Sequence, residues 1–391
     1  MPAGGEDRGD RALRGLVVAI AIATVVAIVV LWPGEADTVL NEGLTGDSER
    51  AEVTAVSYAP CPPPQPGTCG EAEIRIESGE LEGTTSQLAL GGTLLDPELE
   101  VGDELRVIRT DLGPGQPPGT TEGPAWALSD FERRAPMLWL AIAFAALVIA
   151  FGRLRGALSL IGLAASLGVV VAFIVPAILD GTEPLAVAVV GSLAVMLLTI
   201  PLAHGLGPKC LAAMLGTTAS LVLVALLALV FTELTNLTGL ASEEPTLLSI
   251  NDVDVSFKGL LLAGMVIGAL GVLDDVTVSQ ASTVLALRRA NPGLRFGELY
   301  SRAIEVGRDH VSATVNTLVL AYVGASLPVL LIFGSGELGF VEAVNVELVA
   351  QEVVATLVGS IGLIAAVPIT TALAARLVSV DDSDESIVHE H

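Results

Sequence analysis

Asp274 and Asp275 stand side by side in an otherwise uncharged apolar run from Gly259 to Leu287. As a helix, that run of about 29 residues is ~43 Å long, enough to cross a bilayer at a tilt. A carboxylate near the bilayer centre costs on the order of 2.5–3.5 kcal/mol even on lenient insertion scales. Two acids kept there are either hidden in a protein interior or used, and the chemistry open to them is the uptake and release of a proton or a monovalent cation. On a helical wheel Gly264, Gly268, Gly271, Asp275 and Ser282 fall on one stripe, with Ser279 at its edge. Glycines at such spacing let another helix approach closely. Asp275 is therefore expected to point into a packed helix interface, while Asp274, rotated by about 100°, shares its side with Thr277.

A second polar set follows. After Leu287 the chain reads RRANPGLRFGELYSRAIEVGRDH, with a break expected at Asn291–Pro292–Gly293 and then an amphipathic helix over 291–310 lying on the membrane interface. The next apolar segment opens with Asp309, Ser312 and Asn316 on one stripe and His310, Thr314 and Thr317 on the adjoining one. Consecutive antiparallel helices joined by a short connection usually pack together, so Asp274, Asp275, Ser279, Asp309, Asn316 and Thr317 are the candidate lining of an ion path. The plainer alternative ends the Asp-bearing helix near Leu273 and leaves both aspartates at the wet interface beside the arginines. Asp309 and His310 would then be interface residues, Asn316 a link between helices, His204 an interface residue and Glu352 a solvated one.

The elements that must carry these residues are membrane helices. The 391 residues are 52% hydrophobic and only 16% charged, with a mean hydropathy of +0.70, which fits a polytopic α-helical membrane protein rather than a soluble globule. Eight apolar stretches are long enough or suitably flanked: 15–32, 137–152, 157–179, 184–203, 210–232, 258–287, 311–333 and 351–376. With the amino terminus (1–14) inside, most of the 19 Lys and Arg fall on the cytoplasmic side, including Arg14, Arg153, Arg155, Lys209, Arg288 and Arg308. Both termini are then cytoplasmic, 15–32 is a retained anchor, and 377–391 is an acidic, solvated tail. The net charge of −25 excludes nucleic acid as a partner, because nothing here could neutralise a row of phosphates.

Residues 33–136 form a polar segment long enough for one small extracytoplasmic domain. AEVTAV, AEIRIESG and DELRVIRT alternate in the strand manner between Gly, Pro and Thr clusters, so a compact β-barrel or sandwich is expected. Cys61 and Cys69 bracket the stiff loop CPPPQPGTC, and a disulfide is permitted on the outer face. Two free thiols are the main alternative. A metal site competes less well, since the segment holds no histidine. No phosphate loop, CxxC pair, HExxH or GxSxG stands in a supporting context, so neither an enzyme nor a cofactor is expected.

These residues resemble the YibE/F-like membrane proteins of bacteria. The resemblance rests on GALGVLDDVTVSQAS, GRDHVSATVNTLVLAYVGASLP and GSIGLIAAVPITTALAA, with PLAHGLGPKCLAAMLGT a weaker match. It implies an anchor, a small outer β-rich domain and a multi-span body of residues 137–376, and it implies no activity. Asp275 occupies the family's aspartate position and Asp274 is a departure from it; Asn316 and Thr317 are kept. More distantly, GVLDDVTV is similar to the paired-aspartate segment of resistance-nodulation-division exporters, although the membrane-embedded lysine of those proteins has no counterpart deep in any span.

The function expected is ion-coupled transport or translocation, the bilayer and a proton or monovalent cation being the partners. A non-transporting scaffold or sensor whose outer domain holds an envelope partner is the alternative, and a homo-oligomer is compatible with either. An intramembrane aspartyl protease built on Asp275 and Asp309 is disfavoured, because its sequence contexts are absent.

Overall fold

The structure is a computed structural model that describes residues 6–34, 48–61, 68–90, 97–110, 125–241, 255–334 and 339–388. The interior of the Cys61–Cys69 loop, the acidic loop at 242–254 and the last three residues lie outside the described residues. The chain divides into two compact units, residues 37–147 and residues 1–36 with 148–391.

In the first unit the alternating segments become five strands: β1 (Glu49–Pro60), β2 (Thr68–Ile76), β3 (Thr85–Leu90), β4 (Glu104–Thr110) and β5 (Ala125–Phe131). They close into a barrel in the order β1-β2-β3-β5-β4. β1 pairs antiparallel with both β2 and β4, and a register shift between Val53 and Ala55 is the bulge that lets one long strand bend round the barrel. The β3–β5 pair is parallel and meets at Leu88 and Trp126. This order, with a single parallel pair, is that of an OB-type Greek-key barrel, which settles the choice between barrel and sandwich. Val53, Ala72, Ile74, Leu88, Leu105 and Val107 are fully buried and fill the interior. Among the described residues, closure leaves no free sheet edge to pair with other chains. Cys61 and Cys69 are joined by a disulfide across a sequence separation of 8, so neither is a free thiol.

The second unit is helical. α1 (Glu6–Val30) precedes the barrel; after it come α2 (Arg134–Val169), a π-helical turn (Val170–Ile174) and α3 (Val175–Leu179). α4 (Pro184–His204), α5 (Pro208–Leu234) and α6 (Phe257–Ala290) follow, then α7 (Phe296–Ala325), α8 (Leu327–Gly334), α9 (Phe340–Asn345) and α10 (Glu347–Val388). Local chemistry sets the ends. Pro184 and Pro208 open α4 and α5 at positions where no N–H is needed. Glu183 accepts from the Ala186 N–H at 2.7 Å, and Ser256 from the Gly259 N–H at 3.1 Å. α6 stops at the Asn291–Pro292–Gly293 break, and Glu298 caps α7 through the Arg295 N–H at 3.1 Å.

Among the described residues, six helices are long and apolar enough to cross a membrane: residues 11–30, 134–179, 184–204, 208–234, 257–290 and 347–378. Eight spans were expected, and the difference lies in two places. The second and third expected spans belong to one 46-residue stretch, broken at Arg153, whose φ of 53° and ψ of −131° are not helical. The expected interfacial helix and seventh span are divided differently. α7 runs unbroken through both, and its uncharged part, Val311–Ala325, is only ~22 Å long. Pro328 then forces a break at Ser326. α10 continues to Val388, into the acidic tail.

α6 is the centre of the bundle, packed against α4, α5 and α10 and more lightly against α7. Its bulky residues Leu262, Val266, Leu273 and Val276 are buried in that core. α5 and α10 approach closely where they lack side chains. A Cβ on Gly216 would strike the Thr370 hydroxyl, and one on Gly362 would strike Val224.

Two outcomes follow from this packing. Replacing Cys61 and Cys69 by serine should lower barrel stability by about 2–3 kcal/mol through loss of the loop closure, measured by denaturant unfolding of the full chain without and with reductant. Gly216→Val should cost about 1–3 kcal/mol by overpacking against Thr370, seen as a lower unfolding temperature in detergent, whereas Gly264→Ala, with open space around it, should leave that temperature unchanged or slightly raised, since alanine favours the helix.

Candidate functional site

α6 carries both aspartates into a cavity of about 520 Å³. Ser159 and Ser166 of α2 line it, with Thr199 and His204 of α4, Lys209 of α5, and Asp274, Asp275, Ser279 and Ser282 of α6. Helix geometry fixes its depth. The Thr199 hydroxyl donates to Asp274 Oδ2 at 3.4 Å, and Thr199 lies five residues, about 7 Å, before the end of α4. Thr217 and Thr277 share a 2.7 Å hydrogen bond, and Thr217 lies nine residues, about 14 Å, inside α5. The carboxylates therefore sit well within the helical layer, nearer the end that carries His204 and Lys209. α6 also runs on for some four turns past Asp274, so it does not end near Leu273.

The two acids have different surroundings. Asp274 is half-buried, its Oδ1 is shielded from solvent without a hydrogen-bond partner, and its Oδ2 has only the long contact to Thr199. Asp275 is exposed to the cavity. This corrects the sequence expectation, which buried Asp275 in a helix interface. Gly264, Gly268, Gly271 and Asp275 do share one face, but that face is open. No atom lies within 4 Å of a Cβ built on Gly264 or Gly271, and only the Tyr322 hydroxyl, at 3.5 Å, comes near Gly268. The reason is packing. The opposite face of α6 carries the large aliphatic residues that fit closely against α5 and α10, and the Thr277 and Gln280 side chains that hydrogen-bond to those helices.

Ser279 lines the cavity with the aspartates, whereas Asp309, Asn316 and Thr317 do not. All three of the latter are exposed on α7. α7 packs through Leu299, Ala303 and Gly307, which are buried, and Asp309 lies two residues on from Gly307, about 200° round the helix. The α6–α7 contact is made elsewhere. Gln280 Nε2 donates to the Ala303 carbonyl at 2.8 Å and to Thr371 Oγ1 at 2.7 Å. A Cβ on Gly307 would run into Gln280 and Val367. The expected meeting of an acid on α6 with an amide on α7 is thus replaced by a buried glutamine that ties α6, α7 and α10 together.

Thr199, His204, Lys209 and Gln280 were not read from the sequence as site or junction residues. His204 and Lys209 lie together, Nδ1 to Nζ 3.4 Å, in the turn of the PLAHGLGPKC segment. Only that segment's place between two apolar runs could have signalled them. The cavity therefore has a cationic mouth and an acidic, hydroxyl-lined interior. Ser166 and Ser282 donate to carbonyls of their own helices at 2.9 and 2.6 Å, which leaves their oxygen lone pairs able to accept. Carboxylate and hydroxyl oxygens are ligands for a proton, a hydronium or a hard monovalent cation. Among the described residues no group of three or more His, Cys, Asp and Glu is placed to hold a metal ion.

No curated protein and no solved structure matches the chain, so the likeness to exporters finds no support. Residues 140–380, which hold α2 from its first turns through most of α10 and every residue of the cavity, match the YibE/F-like protein family. With its set of long apolar helices, this multi-pass membrane protein belongs to the YibE/F-like family.

Proposed function

We propose that the protein is an ion-coupled transporter or translocation protein rather than an enzyme, with Asp274 and Asp275 as the carboxyls that take up and release the coupling ion. One observation carries this reading: a half-buried carboxylate with one oxygen lacking any partner opens onto a polar cavity inside an otherwise apolar helical layer. A structural acid at such a place would be expected to be paired, since an unsatisfied charge there is costly. A proton on Asp274 removes the charge, and a cation bound between Asp274 and Asp275 offsets it. Either event changes what the cavity tolerates, which is the physical basis of coupling.

In this reading the chain crosses the cell membrane eight times, each arm of α2 counting as one crossing with the break at Arg153 on the cytoplasmic side, and the α7–α8 pair counting as one more. Both termini are cytoplasmic and the barrel is outside. Arg153, Arg155, Lys209, Arg288 and Arg289 then fall on the cytoplasmic side, as positive residues do.

The purified full chain in liposomes should admit protons, or a monovalent cation, when a potassium diffusion potential is imposed. Asp274→Asn and Asp275→Asn should each bring that flux down to the level of protein-free liposomes at unchanged abundance and unfolding temperature. Flux equal to wild type in both variants would sink the proposal.

The barrel favours a second reading, because it forms its own compact unit and lies outside the family match. A scaffold or sensor would lose function on deletion of residues 36–130 and ignore Asp275→Asn; a transporter should show the reverse sensitivity to the aspartate.

A further inference from the structure

Further along the helices from the aspartate cavity, α7, α8 and α10 line an open cavity of about 270 Å³ with Val319, Val323, Leu330, Val349, Val353 and Leu357, together with Tyr322, Ser326, Glu352 and Thr356. Glu352 and Tyr322 are the titratable side chains of this lining. Glu352 is not at the helix end. Glu347 is, where its carboxylate accepts from the Thr238 and Gly239 N–H groups at 2.5 and 2.8 Å. Glu352 lies five residues further on, about 7 Å deeper along α10. A solvated role therefore falls to Glu347, and Glu352 faces an almost wholly apolar pocket.

The second observation is the path between the two cavities. The Tyr322 hydroxyl reaches the face of α6 at Gly268, and no other atom from a neighbouring helix comes within 4 Å of a Cβ built on Gly268 or Gly271. The distance along α6 is seven residues, about 10 Å. Space beside Gly271 is open, and Gly271 itself lines the aspartate cavity. The glycines thus leave a strip of α6 without side chains of their own, a shallow furrow between Tyr322 and the carboxylates.

We infer that Glu352, with Tyr322 beside it, is a second protonation station, on the outer side of the membrane, that exchanges protons with Asp275 and Asp274 along the glycine-floored furrow of α6. A proton from the outer solution adds to the Glu352 carboxylate and gives the neutral acid that the apolar pocket accommodates. The Glu352 O–H then gives its proton to water in the furrow, and water gives one to Asp275, so that one carboxylate is regenerated as the other is neutralised. Tyr322 holds the water at the narrow point by its hydroxyl. His204 and Lys209, the other titratable groups of the inner cavity, stand at its far mouth and set the release side.

This rests on the ion-coupled reading of the aspartates, and the test separates the two. Full-length protein in liposomes is treated with dicyclohexylcarbodiimide, an apolar reagent that adds to protonated carboxyls, and the adducts are located by mass spectrometry. Glu352 should be modified near neutral pH, less as the pH rises, and equally in wild type and Asp275→Asn. Glu352→Gln should bring proton flux under an imposed potential down to that of protein-free liposomes, while Glu352→Asp retains part of it. Absence of an adduct at Glu352 in the wild-type chain overturns the inference without any variant having to fold. Wild-type flux in Glu352→Gln also overturns it, and if Asp275→Asn is inactive in the same assay, the role of the aspartates stands alone. Wild-type flux in Asp274→Asn and Asp275→Asn removes both readings.

Discussion

The bulky face of α6 is held between α5 and α10, and α4 and α7 pack against the same helix. Leu262, Val266, Leu273 and Val276 supply the buried area, while glycines on the partner helices, Gly216 and Gly362, allow their backbones to come close. Two polar links fix the register: the Thr217–Thr277 hydrogen bond and the Gln280 amide between Ala303 and Thr371. In a layer where lipid competes equally well for apolar surface, close packing and satisfied polar groups are what hold helices together. Once α6 is turned this way, its glycine-and-aspartate face has nowhere to go but outward.

That consequence links the fold to the candidate chemistry. Asp274 sits at the boundary between the packed and the open face, so that one carboxylate oxygen is shielded while the other reaches Thr199. Asp275 opens wholly onto the cavity. The same turn exposes the furrow at Gly264, Gly268 and Gly271. Glycines in a membrane helix serve either to bring a second helix near or to leave room: Gly216, Gly307 and Gly362 allow close approach, whereas Gly264 and Gly271 leave room.

The barrel depends on a separate constraint, closure. Five strands with one parallel pair bury a compact aliphatic core around Ile74, Leu88 and Leu105, and the disulfide ties the end of β1 to the start of β2. The barrel belongs to a compact unit of its own.

Much of this was legible in the sequence, because hydropathy, alternation and breaker residues are local signals. The apolar runs marked the helices, the two-residue alternation of AEVTAV and AEIRIESG marked strands, and Asn291–Pro292–Gly293 marked the end of α6. The stripe holding Gly264, Gly268, Gly271 and Asp275 was also correctly read as one face, since helical periodicity is fixed by the backbone. What faces that stripe could not be read, because periodicity says which residues share a side and not which side wins the competition for burial. That choice belongs to the close packing and polar links of all the helices together, and it placed Asp274 rather than Asp275 at the shielded position, turned Asp309 and Asn316 away from the aspartates, and brought Thr199 and Lys209 to them from helices distant in sequence. Residue types alone therefore established a membrane chain with two costly acids and a β-rich insert, whereas the pairing of helices, decided by packing between segments far apart in the chain, determined which acid is enclosed and what stands beside it.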